Sequence, residues 1–206
     1  MREINPGDTD RAYAFEMWMK APMPMVTLIK TMDVTRLVKT GKRCGMKFNM
    51  MMLWCIGRAA TGIREFYTLP VGDRLVQYDS LAVSTIVANK DGGVNSCDIA
   101  LSGDLWQFAD EYLRLTSIVA ESCRNHDIAD SMVIGTSALA RHEIDGAVGM
   151  YSGIYNNPFL IWGKYKRRLL HYELPVSFQF HHTQMDGEHA AAFLDNLQKE
   201  IRYFCR

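Results

Sequence analysis

The chain lacks most of the signatures by which a sequence declares its chemistry. No run of about 18 apolar residues occurs, and the opening MREINPGDTDR is polar, so neither a membrane span nor a signal peptide is expected. Lysine plus arginine and aspartate plus glutamate both number 23, which leaves no net field to draw in nucleic acid or an anionic membrane. The five cysteines are scattered without a CxxC pair, a pattern that suits free thiols in the cytoplasm and not a disulfide framework or zinc site. HExxH, GxSxG, GxxxxGK[ST] and GxGxxG are all missing, which argues against a zinc protease, a serine-elbow hydrolase and nucleotide chemistry. Linkers, internal repeats and low-complexity tracts are missing too. With 206 residues and 48% hydrophobic content, the chain is expected to form one domain over 1–206 with a single sizeable core.

What is present is mixed α and β patterning. Helices are expected over 8–19, from Asp33 to about Gly41, over 46–66, over 104–122 and from about 187 to the end. The 46–66 stretch, with Met46, Met50, Met51 and Met52, is apolar nearly all the way round and reads as the central buried helix. Strands are expected over 25–34, 81–88 and 131–139, with two or three more between 159 and 182; residues 140–157 follow no clear period. The order is too irregular for a doubly wound sheet, so the expectation is one α/β domain.

The most informative stretch is 174–201, LPVSFQFHHTQMDGEHAAAFLDNLQKEI. Val176, Phe178 and Phe180 alternate with Ser177 and Gln179, and continuing the alternation puts His182 on the apolar side and His181 on the polar side. Asp186 then stands as N-cap of a helix with Ala190, Phe193, Leu194, Leu197 and Ile201 on its inner face. A partly desolvated imidazole stays neutral and available as a base near neutral pH. A lone histidine at such a place is commonly a hydrogen-bonded core residue; the pair followed by Asp-Gly points to chemistry. His182, Asp186 and His189 would face one way only if all were helical, and Gly187 with the preceding strand argues against that zinc reading.

HHTQMDG resembles the HHxxxDG signature of coenzyme A-dependent acyltransferases, most of all the chloramphenicol acetyltransferase family. TSAL at 136–139 is similar to that family's serine segment, and LIWGKY at 160–165 to its GKY segment; VQYDSLAVS and DLWQFADEYL also have counterparts, so nearly the whole chain is covered. The resemblance implies a two-layer α/β sandwich, a mixed sheet with helices on one face, assembled as a homotrimer with active sites between subunits. It implies an acetyl-CoA-dependent O-acetyltransferase in which His182 is the general base and Ser137 stabilises the oxyanion. Asp186 would be a structural aspartate paired with Arg11, and Lys164, Tyr165 and Arg141 would lie on the coenzyme A side. No metal, membrane or nucleic acid partner is implied.

Departures cluster on the acceptor side. Ala140 and Arg141 follow TSAL in place of the family's Pro-Trp. Trp18 stands for a tyrosine of the first helix, Ala88 for an aromatic of the middle strand, and Ile161 for a threonine near the oxyanion. Chloramphenicol is therefore the first acceptor expected and another small hydroxyl compound the second, beside a catalytically weak ligand-binding relative.

Overall fold

A computed structural model describes residues 1–101, 103–149, 151 and 153–205. In chain order the elements are β1 (Arg2–Ile4), α1 (Ala12–Trp18), β2 (Met25–Asp33), α2 (Thr35–Cys44), α3 (Phe48–Thr61), β3 (Thr68–Val71), β4 (Arg74–Gln77), β5 (Leu81–Ala88), β6 (Val94–Ala100), α4 (Leu105–Ser122), β7 (Met132–Ala138), β8 (Phe159–Trp162), β9 (Lys166–Arg167), β10 (Tyr172–His181) and α5 (Gly187–Tyr203). Seven strands form one sheet in the order β2-β10-β8-β7-β5-β6, with β9 on the side of β10, and β1-β4-β3 form a second, antiparallel one. Within the large sheet β7 runs parallel to both β5 and β8, and the remaining pairings are antiparallel. The sheet is mixed, as the sequence led us to expect.

Strand alternation then sorts the residues onto two faces. Val83, Ile134, Leu160, Val176, Phe178 and Ile99 are buried against α2, α3, α4 and α5, which contribute the rest of the core. Helix α3 is buried over most of its length, from Met50 to Gly57 and at Ala59 and Ala60, because its sequence offers no polar stripe to turn outward. Among the described residues no helix is long and apolar enough to cross a membrane.

Two expectations need correction, and two strands were not expected. The helix expected over 46–66 stops at Thr61, where Gly62 follows, and Arg64–Tyr67 form a separate 3-10 turn. Helix α1 begins only at Ala12, because Pro6–Asp8 close a 3-10 turn of their own. Strands β1 and β6 had no clear signal: β1 is three residues long, and β6 (VNSCDIA) carries polar side chains on its outer face. Among the described residues of 140–157 there is no regular element. That segment lies on the outer face beside β10, where Ala147 N–H donates to Ser177 Oγ and Gln179 Nε2 donates to Gly149 O.

Candidate active site

β10 ends at His181, and the chain turns at once: the amides of Gln184 and Met185 donate to His181 O before α5 begins behind Asp186. The strand alternation therefore stops one residue short of His182, and the expected burial of the two histidines is reversed. His181 lies on the outer face, yet it is 1% exposed, with Tyr151 edge-on to its ring and its Nδ1 accepting the Thr183 amide at 3.1 Å. Burial, with the His182 charge adding to it, holds the His181 imidazole down at about 4. His182 sits in the turn with about a quarter of its side chain open.

Two residues of the first helical segment fix that turn. Arg11, itself 8% exposed, donates from Nε to Thr183 O at 3.0 Å, from Nη2 to His182 O at 2.6 Å and from Nη1 to Asp186 Oδ2 at 2.7 Å. One guanidinium thus saturates two turn carbonyls and one carboxylate, a use of its planar fork that lysine cannot copy. Trp18, at the far end of α1, stacks on the His182 ring with centroids 4.3 Å apart and planes within 4°. The hydrogen bond from Arg11 holds the Asp186 carboxyl below its ordinary range, and the nearby His182 and His189 act the same way.

His182 Nδ1 is buried without a hydrogen-bond partner, although Asp186 Oδ1 lies 3.5 Å away. The contact is close enough for charge attraction and is not directed as a hydrogen bond. Asp186 is therefore placed to stabilise an imidazolium, and the opposite ring edge, carrying Nε2, is the open one. His189 contributes from α5, where its Nδ1 accepts the Asp186 amide at 3.2 Å; nothing in the sequence had singled it out except as a metal candidate. Among the described residues no group of three or more His, Cys, Asp or Glu is arranged to hold a metal ion.

Ser137 is elsewhere. It pairs with Ile161 of β8, which pairs with Ser177 of β10, so the three share one row of the outer face. His182 lies five residues beyond Ser177, about 17 Å along the strand direction and about 10 Å across two strands, so it is roughly 19 Å from Ser137. Ile161 stands next to Ser137, and Ala88 ends β5 on the same face. Acceptor-side expectations thus divide, Trp18 lying with His182 and Ile161 and Ala88 with Ser137.

A groove of about 330 Å³ occurs at the ends of β7 and β8, lined by Lys164 and Tyr165 together with Lys47, Phe48, Asn49 and Tyr112. Tyr165 packs on Phe48 at 5.2 Å, while Arg141 is exposed just past Ala140 at its edge. Lys47, Phe48 and Asn49 were not anticipated, since they look like an ordinary helix start.

A mixed sheet with helices on one face and an imidazole presented at a strand–helix turn defines an α/β acyltransferase of the HHxxxDG kind. The chain belongs to the chloramphenicol acetyltransferase family, whose model matches residues 3–198. It is 27% identical over 184 residues to chloramphenicol acetyltransferase 2 of Escherichia coli, covering 84% of this chain and 83% of that one. It is 24% identical to the chloramphenicol acetyltransferase of Clostridium perfringens, covering 95% and 92%. A solved chloramphenicol acetyltransferase superposes with a TM-score of 0.83 at 20% identity, over 96% of this chain and 98% of that one.

Proposed function

We propose that the 206 residues act as one cytoplasmic acyltransferase domain that moves acetyl from acetyl-CoA to a hydroxyl of a small acceptor, chloramphenicol being the first to test. The observation that carries this reading is the held imidazole: His182 stacked on Trp18, its turn braced by Arg11, its Nδ1 facing Asp186. His182 Nε2 takes the acceptor's hydroxyl proton as that oxygen attacks the thioester carbonyl carbon. Ser137 donates its hydroxyl hydrogen to the oxyanion that forms there. The new C–O bond remains, the C–S bond breaks, and His182 returns the proton to the departing thiolate. General bases of this kind contribute about 10²–10⁴-fold, and a single oxyanion donor about 10²–10³-fold.

The roughly 19 Å between His182 and Ser137 along the register means that one copy does not bring both to one reacting carbon. We assign the complete site to two copies, His182 from one facing Ser137 of the next, in a homotrimer. Lys47 and Lys164 can meet the phosphates of the coenzyme and Phe48 and Tyr165 its adenine, while Arg141 lies at the groove's edge. Asp186 and Arg11 position the base and move no proton.

Thiol release from acetyl-CoA, with and without chloramphenicol and a panel of hydroxylated compounds, tests the reading in the wild type and in His182→Ala. Acceptor-dependent release that disappears in the variant is expected. Release that survives unchanged removes His182 from its role, and no release with any acceptor leaves a ligand-binding relative.

A further inference from the structure

A cavity of about 720 Å³ opens on the outer face of the large sheet, lined by Ile86, Gly135, Phe159 and Ile161 on one side and by Asp98 and Asp127 on the other; Ser137 lies just beyond this lining, beside Ile161 on the same face. The strand register fixes this layout. Asp98 pairs with Ser84, which pairs with Gly135, two residues before Ser137 on the same strand. Two strand spacings and two residues of rise put the Cα atoms of Asp98 and Ser137 about 12 Å apart. A small molecule seated in the cavity against Asp98 extends toward Ser137.

The cavity's charge is one-sided. Its lining contains two aspartates and no lysine, arginine or histidine. Asp98 is 7% exposed, accepts the Ile128 amide at 3.1 Å and is hydrogen-bonded to Ser84, yet no lysine or arginine among the described residues pairs with it. His126, packed behind it, directs its Nδ1 to Asp98 O at 2.9 Å and not to the carboxylate. A carboxylate offers about four acceptor positions, so two donors leave capacity unused. A buried anion without a counter-cation is costly, and a ligand that brings one recovers that cost. An uncharged nitrophenyl compound does not.

We infer that Asp98 sets the acceptor specificity, and that the acceptor is an amino alcohol whose protonated amine sits on Asp98 while its hydroxyl reaches the reacting carbon beside Ser137. Asp127, exposed at the rim, adds attraction for the same cation. This rests on the proposed acetyl transfer to a hydroxyl and narrows its acceptor class.

The test uses tertiary amino alcohols, which give no stable amide, each paired with the neutral alcohol in which carbon replaces nitrogen. The wild type is expected to prefer the amine by about tenfold to a hundredfold in kcat/KM, the range of one charge-assisted hydrogen bond. In Asp98→Asn that ratio falls to near one. Calorimetric binding of the same pairs without acetyl-CoA reads the preference independently of turnover, so the inference stays testable even if no acetyl is transferred. Equal binding and turnover of amine and neutral partner by the wild type, or a preference unchanged in Asp98→Asn, overturns the assignment of Asp98. Transfer to neutral alcohols alone does the same while leaving the acetyltransferase reading intact.

Discussion

The histidine end and the serine face of this molecule are built in opposite ways. At the histidine end the turn is braced: Arg11 binds two carbonyls and a carboxylate, Trp18 covers the imidazole, and His181 is sealed below. On the serine face small side chains leave room, and the shape is set by strand register and by what is missing at Gly135. A reacting base must be held in one orientation before substrate arrives, whereas an acceptor surface must stay open to admit one. On the proposed reading, the two halves serve one reaction without sharing one chain's interior.

Subunit mixing breaks the comparison most sharply. His182→Ala and Ser137→Ala should each lose about 10²-fold or more in kcat. After the two variants are unfolded together and reassembled, hybrid assemblies regain sites with His182 from one copy and Ser137 from the other. Activity recovered in the mixture, absent from either parent, is the expected result. A mixture no better than its parents would put both residues in one chain's site. The next largest effect is Arg11→Ala, which strands the His182 and Thr183 carbonyls. We expect about tenfold to a hundredfold lower kcat/KM and a loss of about 2 kcal/mol in urea unfolding. Arg11→Lys should fall between, because one ammonium cannot reach all three acceptors.

How much of this was legible in the sequence follows from the same contrast. β10, α5 and the N-cap Asp186 could be read locally, because period 2 giving way to period 3.6 within 174–201 leaves little choice. The reversed burial of His181 and His182 could not. It depends on a turn that stops the alternation and on the 140–157 segment, which covers the outer face without any period of its own. The Arg11–Asp186 contact joins positions 175 residues apart and came from family resemblance, not from periodicity. Ser137, Ile161 and Asp98 are unremarkable strand residues one by one; only the register, which no single strand encodes, brings them to one face of the sheet.

Acid should act on the two regions with opposite sign. His181 has a folded pKa of about 4 against an ordinary 6.5, so between those values the unfolded chain binds more protons. Stability is then fully present above pH 6.5 and falls as pH drops toward 4, by at most about 3 kcal/mol. Asp98 is raised by burial, against the Ser84 and Ile128 hydrogen bonds, so its folded form binds the extra proton. Its contribution improves as pH falls through that raised value and is lost as pH rises. Thermal melts from pH 7 to 4 should show a net fall in the wild type, a flatter profile in His181→Asn and a steeper one in Asp98→Asn. A His181→Asn profile parallel to the wild type would mean that His181 is not the group sealed neutral at the histidine end.

The smallest effect on kcat belongs to the open face and concerns one methyl group. A Cβ built on Gly135 would fall 2.3 Å from the Phe159 ring, far inside van der Waals contact. Phe159 also lines the cavity, so it must shift toward the space where an acceptor would sit. Gly135→Ala should therefore cost about 1–3 kcal/mol of stability by overpacking and raise KM for the acceptor more than for acetyl-CoA, whose proposed groove lies past the end of β7 at Ala140. Because the histidine end is braced by contacts that do not pass through Phe159, the kcat of this variant should change less than its acceptor KM. A kcat loss as large as that of Arg11→Ala, with acceptor KM unchanged, would show that the two regions are mechanically one.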